Sequence, residues 1–368
     1  MEKHITIKST RVDDPNIEVI KDFFRTEFPP IAAGNTESMV TLIAGKIIGS
    51  RSYRLAGAPT LESQVEIRGV IRDAIESGKR IPMLVVCGPK KTDNSESIDI
   101  AELSALRVLA CVQRQVQEYY PTGLDIILRI EDSTGYFLEG ESPEITNSIE
   151  VYTEELRALI RILGYDNFIT AVRETSIIEY GIFKAEGERL YPYFYNYLME
   201  SEVEHLDKWE KLDSYKVLQK VGWVGIIPPE MREYYHRRYS LIYPEMSAME
   251  RLDLMAKYFG ITLARGVLDG IGSRPEWNHR FIQINFAPPV TGEPKNRTTT
   301  RIYYRTVPLS HTKKHLPFWR AKGYLKLNGN ARISLATWNE KLDLIPFEVQ
   351  LSRGEDTVTI KADYMIVE

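Results

Sequence analysis

Two cysteines in 368 residues are too few for a disulfide framework. Cys87 sits in a strand-like run and Cys111 in a helix-like run. Both read as buried thiols of a reducing compartment, which makes a cytoplasmic protein the expectation. Basic residues are not in excess: 47 Lys and Arg stand against 51 Asp and Glu, a formal charge of −4. That gives no nucleic-acid footprint over the whole chain. No stretch approaches the ~18 uncharged apolar residues of a membrane span, and the first residues lack the apolar core of a signal peptide. The sequon at Asn296-Arg297-Thr298 is therefore read as chance. Walker A, G-x-G-x-x-G and G-x-S-x-G fingerprints are all missing.

What is present describes an ordinary globular protein, 43% hydrophobic and 27% charged. Residues 1–80 read as a helical segment. Ile17, Ile20, Phe23 and Phe24 recur at helical spacing until Pro29-Pro30. A second run covers Met39 to Ile48. A third runs from Leu61 to Gly78, with Val65, Ile67, Val70, Ile71 and Ile75 on or near one face and Gly78 as its cap. Residues 81–280 read as an α/β core with a helical insertion. Met83 to Cys87 is a short continuous apolar run, typical of a strand buried on both faces, and Leu124 to Ile130 reads as a second buried strand. The helix-like stretch Ile98 to Tyr120 joins them into a βαβ unit. The expected fold is therefore α/β and Rossmann-like, with a mainly parallel sheet and flanking helices. Residues 281–368 read as strand-rich, with period-two alternation at Phe281–Phe286, Ile302–Thr306, Arg332–Thr337, Phe347–Leu351 and Val358–Ile366.

Several clusters could carry chemistry. His205-Leu206-Asp207 fits the H-x-D half of an iron facial triad. The segment is helix-like, however, and positions i and i+2 on a helix point apart, so no metal site is expected. Gly270-Ile271-Gly272 reads as a turn. His236-Arg237-Arg238, and His311 with Lys313, Lys314 and His315, read as solvated basic patches, the second also suited to a phosphorylated substrate. Tyr191, Tyr193, Phe194, Tyr195 and Tyr197 fit either an aromatic pocket or helix contacts.

The loop Gly88 to Ser97 says more. It leaves the carboxyl end of a buried strand and leads to a helix N-terminus, where backbone N–H groups favour an anion. Lys91 adds a charge, and Thr92 and Asn94 add hydrogen bonds. A solvated turn with Asp99 as an acidic first-turn residue explains the same letters, and local physics leaves the two readings level.

Pro89-Lys90-Lys91-Thr92-Asp93-Asn94 resembles the P-x-K-[S/T]-x-N motif of the pyoverdine/dityrosine biosynthesis family, the isonitrile synthases. Asp99-Ile100-Ala101-Glu102 with Ala105-Leu106 resembles that family's D-x-A-E-x-x-A-L. Tyr120-Pro121-Thr122-Gly123, then Ile126-Ile127 and Asp132, resembles its Y-P-x-G turn, strand and D-G corner. Ala331-Arg332-Ile333-Ser334-Leu335 resembles R-L-S-I-H, and Pro346-Phe347-Glu348-Val349 stands where P-W-H-x-V is expected. Order and spacing agree over about Val65 to Leu163 and Lys326 to Leu351. Three positions depart: Gly88 replaces an aromatic residue, and Ala336 and Glu348 replace the two C-terminal histidines.

The resemblance implies condensation of an amino acid's amine with the ketone of ribulose 5-phosphate. The sugar gives up one carbon and the amine becomes an isonitrile. It implies no cofactor, and a possible pathway partner in an iron/2-oxoglutarate oxygenase. Lys91, Asp99, Glu102, Asp132 and Glu348 become the catalytic candidates; Lys90, Thr92, Asn94, Arg332 and Ser334 become the substrate and phosphate contacts. Arg332 and Glu348 are expected to meet Lys91 and Asp99 in one pocket. For Glu102, helix capping is the competing role. For Glu348, acid chemistry at neutral pH would require a carboxyl pKa raised by about two units, and a solvent-facing strand position is the alternative. Two other functions stay open: a different carbon–nitrogen reaction on the same fold, and a binding protein without turnover.

Overall fold

The chain opens with a strand, β1 (His4–Ser9), where the sequence reading expected helix. The hexamer alternates with period two: Ile5 and Ile7 pack on the core while His4 and Thr6 are exposed. The computed structural model of the protein describes residues 4–9, 17–25, 38–49, 59–87, 98–177, 180–199, 245–270, 281–286, 302–304, 323–328, 332–337 and 345–367.

Three helices follow as expected: α1 (Ile17–Arg25), α2 (Met39–Ile48) and α3 (Leu61–Glu76). The hydroxyl of Thr60 caps α3 by accepting the Ser63 N–H at 3.2 Å. Gly78, in the left-handed conformation at φ 66°, closes it. Its buried face is Ser63, Ile67, Val70, Ile71 and Ala74. Val65, assigned to the core by periodicity, is exposed with Leu61 one turn before it.

The expected βαβ unit is present as β2 (Ile81–Cys87), α4 (Ile100–Gln117) and β3 (Leu124–Ile130). Helices α5 (Asp132–Glu139) and α6 (Pro143–Leu163) then lead to a strand the sequence reading passed over, β4 (Ile169–Arg173). After a 3₁₀ turn at Glu174–Ser176 come α7 (Tyr180–Met199) and α8 (Ala248–Gly270). The remaining strands are β5 (Ile282–Asn285), β6 (Ile302–Tyr303), β7 (Gly323–Asn328), β8 (Arg332–Thr337), β9 (Ile345–Arg353) and β10 (Asp356–Val367).

These strands form two sheets. The first runs β4-β3-β2-β5-β6 and every pairing in it is parallel. By order of appearance this is third, second, first, fourth, fifth, the doubly wound Rossmann-like order. The second runs β1-β9-β10-β7-β8 and is antiparallel except between β10 and β7. The late strands therefore do not form one region: β5 and β6 complete the parallel sheet, and β7 to β10 build the other.

One hydrophobic core joins both sheets. Met83, Val85, Ile126, Leu128, Ile169, Ala171, Ile282 and Ile284 contribute from the parallel sheet; Leu325, Phe347, Val349, Leu351, Val358 and Ile360 from the second. Helices α4 and α6 lie between, and α4 is buried on every side from Ile100 to Gln113. Its polar side chains are therefore bonded inward: Arg107 donates to the Phe24 carbonyl, and Gln113 accepts the Leu124 N–H at 2.7 Å. Among the described residues no helix is long and apolar enough to cross a membrane.

Helices α7 and α8 pack against each other and against α5. The contact is close because both helices present glycine. A Cβ on Gly260 would stand 3.0 Å from the Gly187 carbonyl oxygen, and one on Gly187 would stand 2.7 Å from the Phe137 ring. The Tyr191 hydroxyl donates to Asp253 across the pair, so this aromatic residue serves helix contact. Gly260→Ala should therefore force the pair apart and cost about 1–3 kcal/mol in urea unfolding. Full stability in that variant would show that the contact yields without strain.

Candidate functional site

In an open parallel sheet the ligand crevice lies outside the carboxyl ends of the strands, at the point where strand order reverses. Here the reversal falls between β2 and β5. The segment 88–97 leaves the end of β2 at this place. Lys90, Lys91, Thr92 and Asn94 themselves lie outside the described residues, as do His205, Asp207, His236, His311 and His315.

The segment leads into α4. Asp99 is the N-cap of α4, accepting the Ala101 N–H at 2.5 Å, while Glu102 accepts the Asp99 N–H at 2.8 Å. This is a reciprocal capping box, and both carboxylates are buried. Tyr152 of α6 donates its hydroxyl to Glu102 at 3.2 Å, and the neighbouring Glu155 accepts the Ile98 N–H at 3.2 Å. Asp99 and Glu102, expected as acid/base groups, are thus engaged in fixing the start of α4. The positive end of that helix is held toward the crevice.

Asp132 follows β3 and is fully buried. Its Oδ1 accepts the backbone N–H groups of Ser133 at 3.1 Å and Thr175 at 2.9 Å. Its Oδ2 accepts Arg173 Nε at 2.9 Å and the Thr175 hydroxyl. A carboxylate offers about four acceptor sites, and all four are filled. Asp132, expected as an acid/base group, thus positions Arg173 and the β4 turn.

Arg173 ends β4 and reaches three elements. Besides Asp132 it donates to Tyr136 Oη of α5 at 2.6 Å and to Glu150 of α6 at 3.3 Å. Burial opposes its charge, but the hydrogen bond to Asp132 and the fields of Asp132, Tyr136 and Glu150 prevail and raise its pKa further. A second pair sits beside it. The Ser133 hydroxyl donates to the fully buried Glu174, and Arg129 Nε lies 3.7 Å from the other oxygen of Glu174. Arg129 also approaches Glu131 at 3.8 Å. By strand alternation Arg129, in register with Val86 and Val172, lies on the sheet face opposite Ile130 and Arg173. Charged pairs thus flank the sheet on both faces at its carboxyl edge, joined through Asp132-Ser133.

The sequence reading found Asp132 in this group and missed Arg129, Ser133, Tyr136, Arg173, Glu174 and Thr175. A signal existed: Ile169-Thr170-Ala171-Val172 is a short β-rich run after the cap at Gly164, and charged residues follow its end.

Arg332, Ser334 and Glu348 belong to the second sheet. The register puts positions 332, 334 and 348 on the face opposite Leu325, Phe347 and Val349, which enter the core beside α4. Glu348 is exposed there, in register with Lys8 and Lys361. Phe347 and Val349 turn the other way, into the core, while Glu348 is on the exposed face. The side chains of Arg332 and Ser334 lie outside the described part. Among the described residues no group of three or more His, Cys, Asp or Glu side chains could hold a metal ion.

The crystal structure of PvcA from Pseudomonas aeruginosa superposes on this chain with a TM-score of 0.52. The match covers 89% of this chain and 100% of that one at 14% identity. The protein has the PvcA fold. At that identity the likeness speaks for the fold alone. A tryptophanyl-tRNA synthetase from Trypanosoma brucei aligns over 55% of each chain with a TM-score of 0.23, too low to bear on the comparison. No family model and no curated protein matches the sequence.

Proposed function

We propose that the protein is a biosynthetic enzyme of the isonitrile-synthase type, joining an amino acid's amine to ribulose 5-phosphate at the carboxyl edge of its parallel sheet. The observation that carries this reading is positional. The segment holding Pro89-Lys90-Lys91-Thr92-Asp93-Asn94 leaves β2 at the reversal of strand order and runs into a helix N-terminus locked by Asp99 and Glu102. Lys91 and Thr92 then anchor the sugar phosphate. The amino acid lies toward β3 and β4, where Asp132 holds Arg173 rigidly.

A second reading shares this site and changes the reaction. Glu348 is exposed, and Ala336 replaces the other family histidine, so neither of those two histidines is present here. A carbon–nitrogen condensation that stops before isonitrile formation fits those departures.

Mass spectrometry of pooled amino acids incubated with ribulose 5-phosphate and the protein separates the readings. A product that gains one carbon and loses two hydrogens relative to the amino acid supports an isonitrile. A product retaining sugar carbons supports the second reading. No consumption of either substrate would reject both.

A further inference from the structure

Around Arg173 there are more hydrogen-bond donors than acceptors. The guanidinium carries five N–H groups. One goes to Asp132 Oδ2 at 2.9 Å, one to Glu150 Oε1 at 3.3 Å and one to Tyr136 Oη at 2.6 Å. The other two have no acceptor among the described residues, and the side chain is 24% exposed, so a ligand can reach it. Tyr136 accepts from Arg173 through its oxygen and keeps its own proton to donate.

Tyr180, at the start of α7, adds another donor. Its ring lies 5.8 Å from that of Tyr136. Its hydroxyl is buried and meets no partner among the described residues. Such a group is destabilising unless something else satisfies it. Burial first, and then the fields of Glu141, Glu188, Tyr136 and Asp132, push its pKa well above the usual tyrosine value. Tyr180 therefore stays a protonated donor at any physiological pH. Asp132 already balances the charge of Arg173, so the place is not a bare positive field. It is a set of fixed donors lacking acceptors, and an oxyacid group supplies several acceptors at once.

We propose that Arg173, Tyr136 and Tyr180 form an oxyanion subsite that takes the carboxylate or phosphate of a substrate, with Asp132 as the positioning residue for Arg173. This rests on the proposed function only in taking that substrate to be an amino acid or a sugar phosphate. Binding is read without turnover, so failure to form an isonitrile would leave it untouched.

The test is isothermal titration of the full chain with L-tyrosine, with tyramine as its carboxylate-free counterpart, and with inorganic phosphate. The wild type should bind L-tyrosine and not tyramine. Arg173→Lys should weaken that binding about tenfold or more, since lysine cannot reproduce the fork. Tyr180→Phe should weaken it about fivefold. Phosphate binding should persist in both variants. If phosphate binding falls instead and tyrosine binding survives, the subsite stands and its ligand is the phosphate.

Tyr180→Phe also separates binding from folding, because removing an unpartnered buried hydroxyl should leave melting temperature equal or higher. A Phe variant and a folded Lys variant that both bind each probe like wild type would overturn the subsite. So would a wild type that binds neither probe.

Discussion

Asp132→Ala is expected to lower the free energy of unfolding by about 3 kcal/mol. The carboxylate is fully buried and occupied by four donors from Arg173, Thr175 and Ser133. Alanine would leave the Arg173 charge facing only the half-exposed Glu150, and would leave the Thr175 N–H without its acceptor. Removing one partner of a buried pair costs about 3–5 kcal/mol. The lower end applies because Arg173 reaches solvent in part and keeps its bond to Tyr136. Urea unfolding checks the value. A loss below about 1 kcal/mol would mean that Arg173 escapes to water and that Asp132 is not what holds it.

Lys91→Ala is expected to weaken sugar-phosphate binding and turnover about a hundredfold or more, with little change in melting temperature. The size follows from leaving a bound phosphate without its charge-assisted partner. The stability expectation follows from the setting. In the sequence, residues 88–97 are a polar stretch between an apolar strand and a helix whose capping box is made by Asp99 and Glu102. Titration with ribulose 5-phosphate and thermal unfolding measure the two effects separately. A large loss of stability with binding retained would make Lys91 a structural residue and remove the phosphate anchor from the proposed function.

The sequence by itself determined the elements whose signal is local. Met83 to Cys87 had to be an inner strand, because an uninterrupted apolar run of that length cannot face water on either side, and Leu124 to Ile130, broken only by Asp125 and Arg129, reads as its partner. Their separation by one helix required a parallel crossover. Asp99 and Glu102 at cap and third position carry a capping box in their spacing alone. The edge strands at His4–Ser9 and Ile169–Arg173 were as visible in period or composition. Both are short, and each was hidden by the helices read around it.

The tertiary structure alone decided which strands share a sheet and which charges meet. Phe281–Phe286 and Phe347–Leu351 alternate alike. Yet Ile282, Gln283 and Ile284 are all buried in the parallel sheet, whereas Glu348 and Gln350 of β9 are exposed. Alternation reports one buried face; whether the second is also covered depends on chain far away in sequence. That difference leaves Glu348 on an exposed face. The same holds for Asp132 and Arg173, 41 residues apart. They touch because β3 and β4 are parallel neighbours that end at one edge. That pairing is made by backbone hydrogen bonds between segments carrying no local mark of each other.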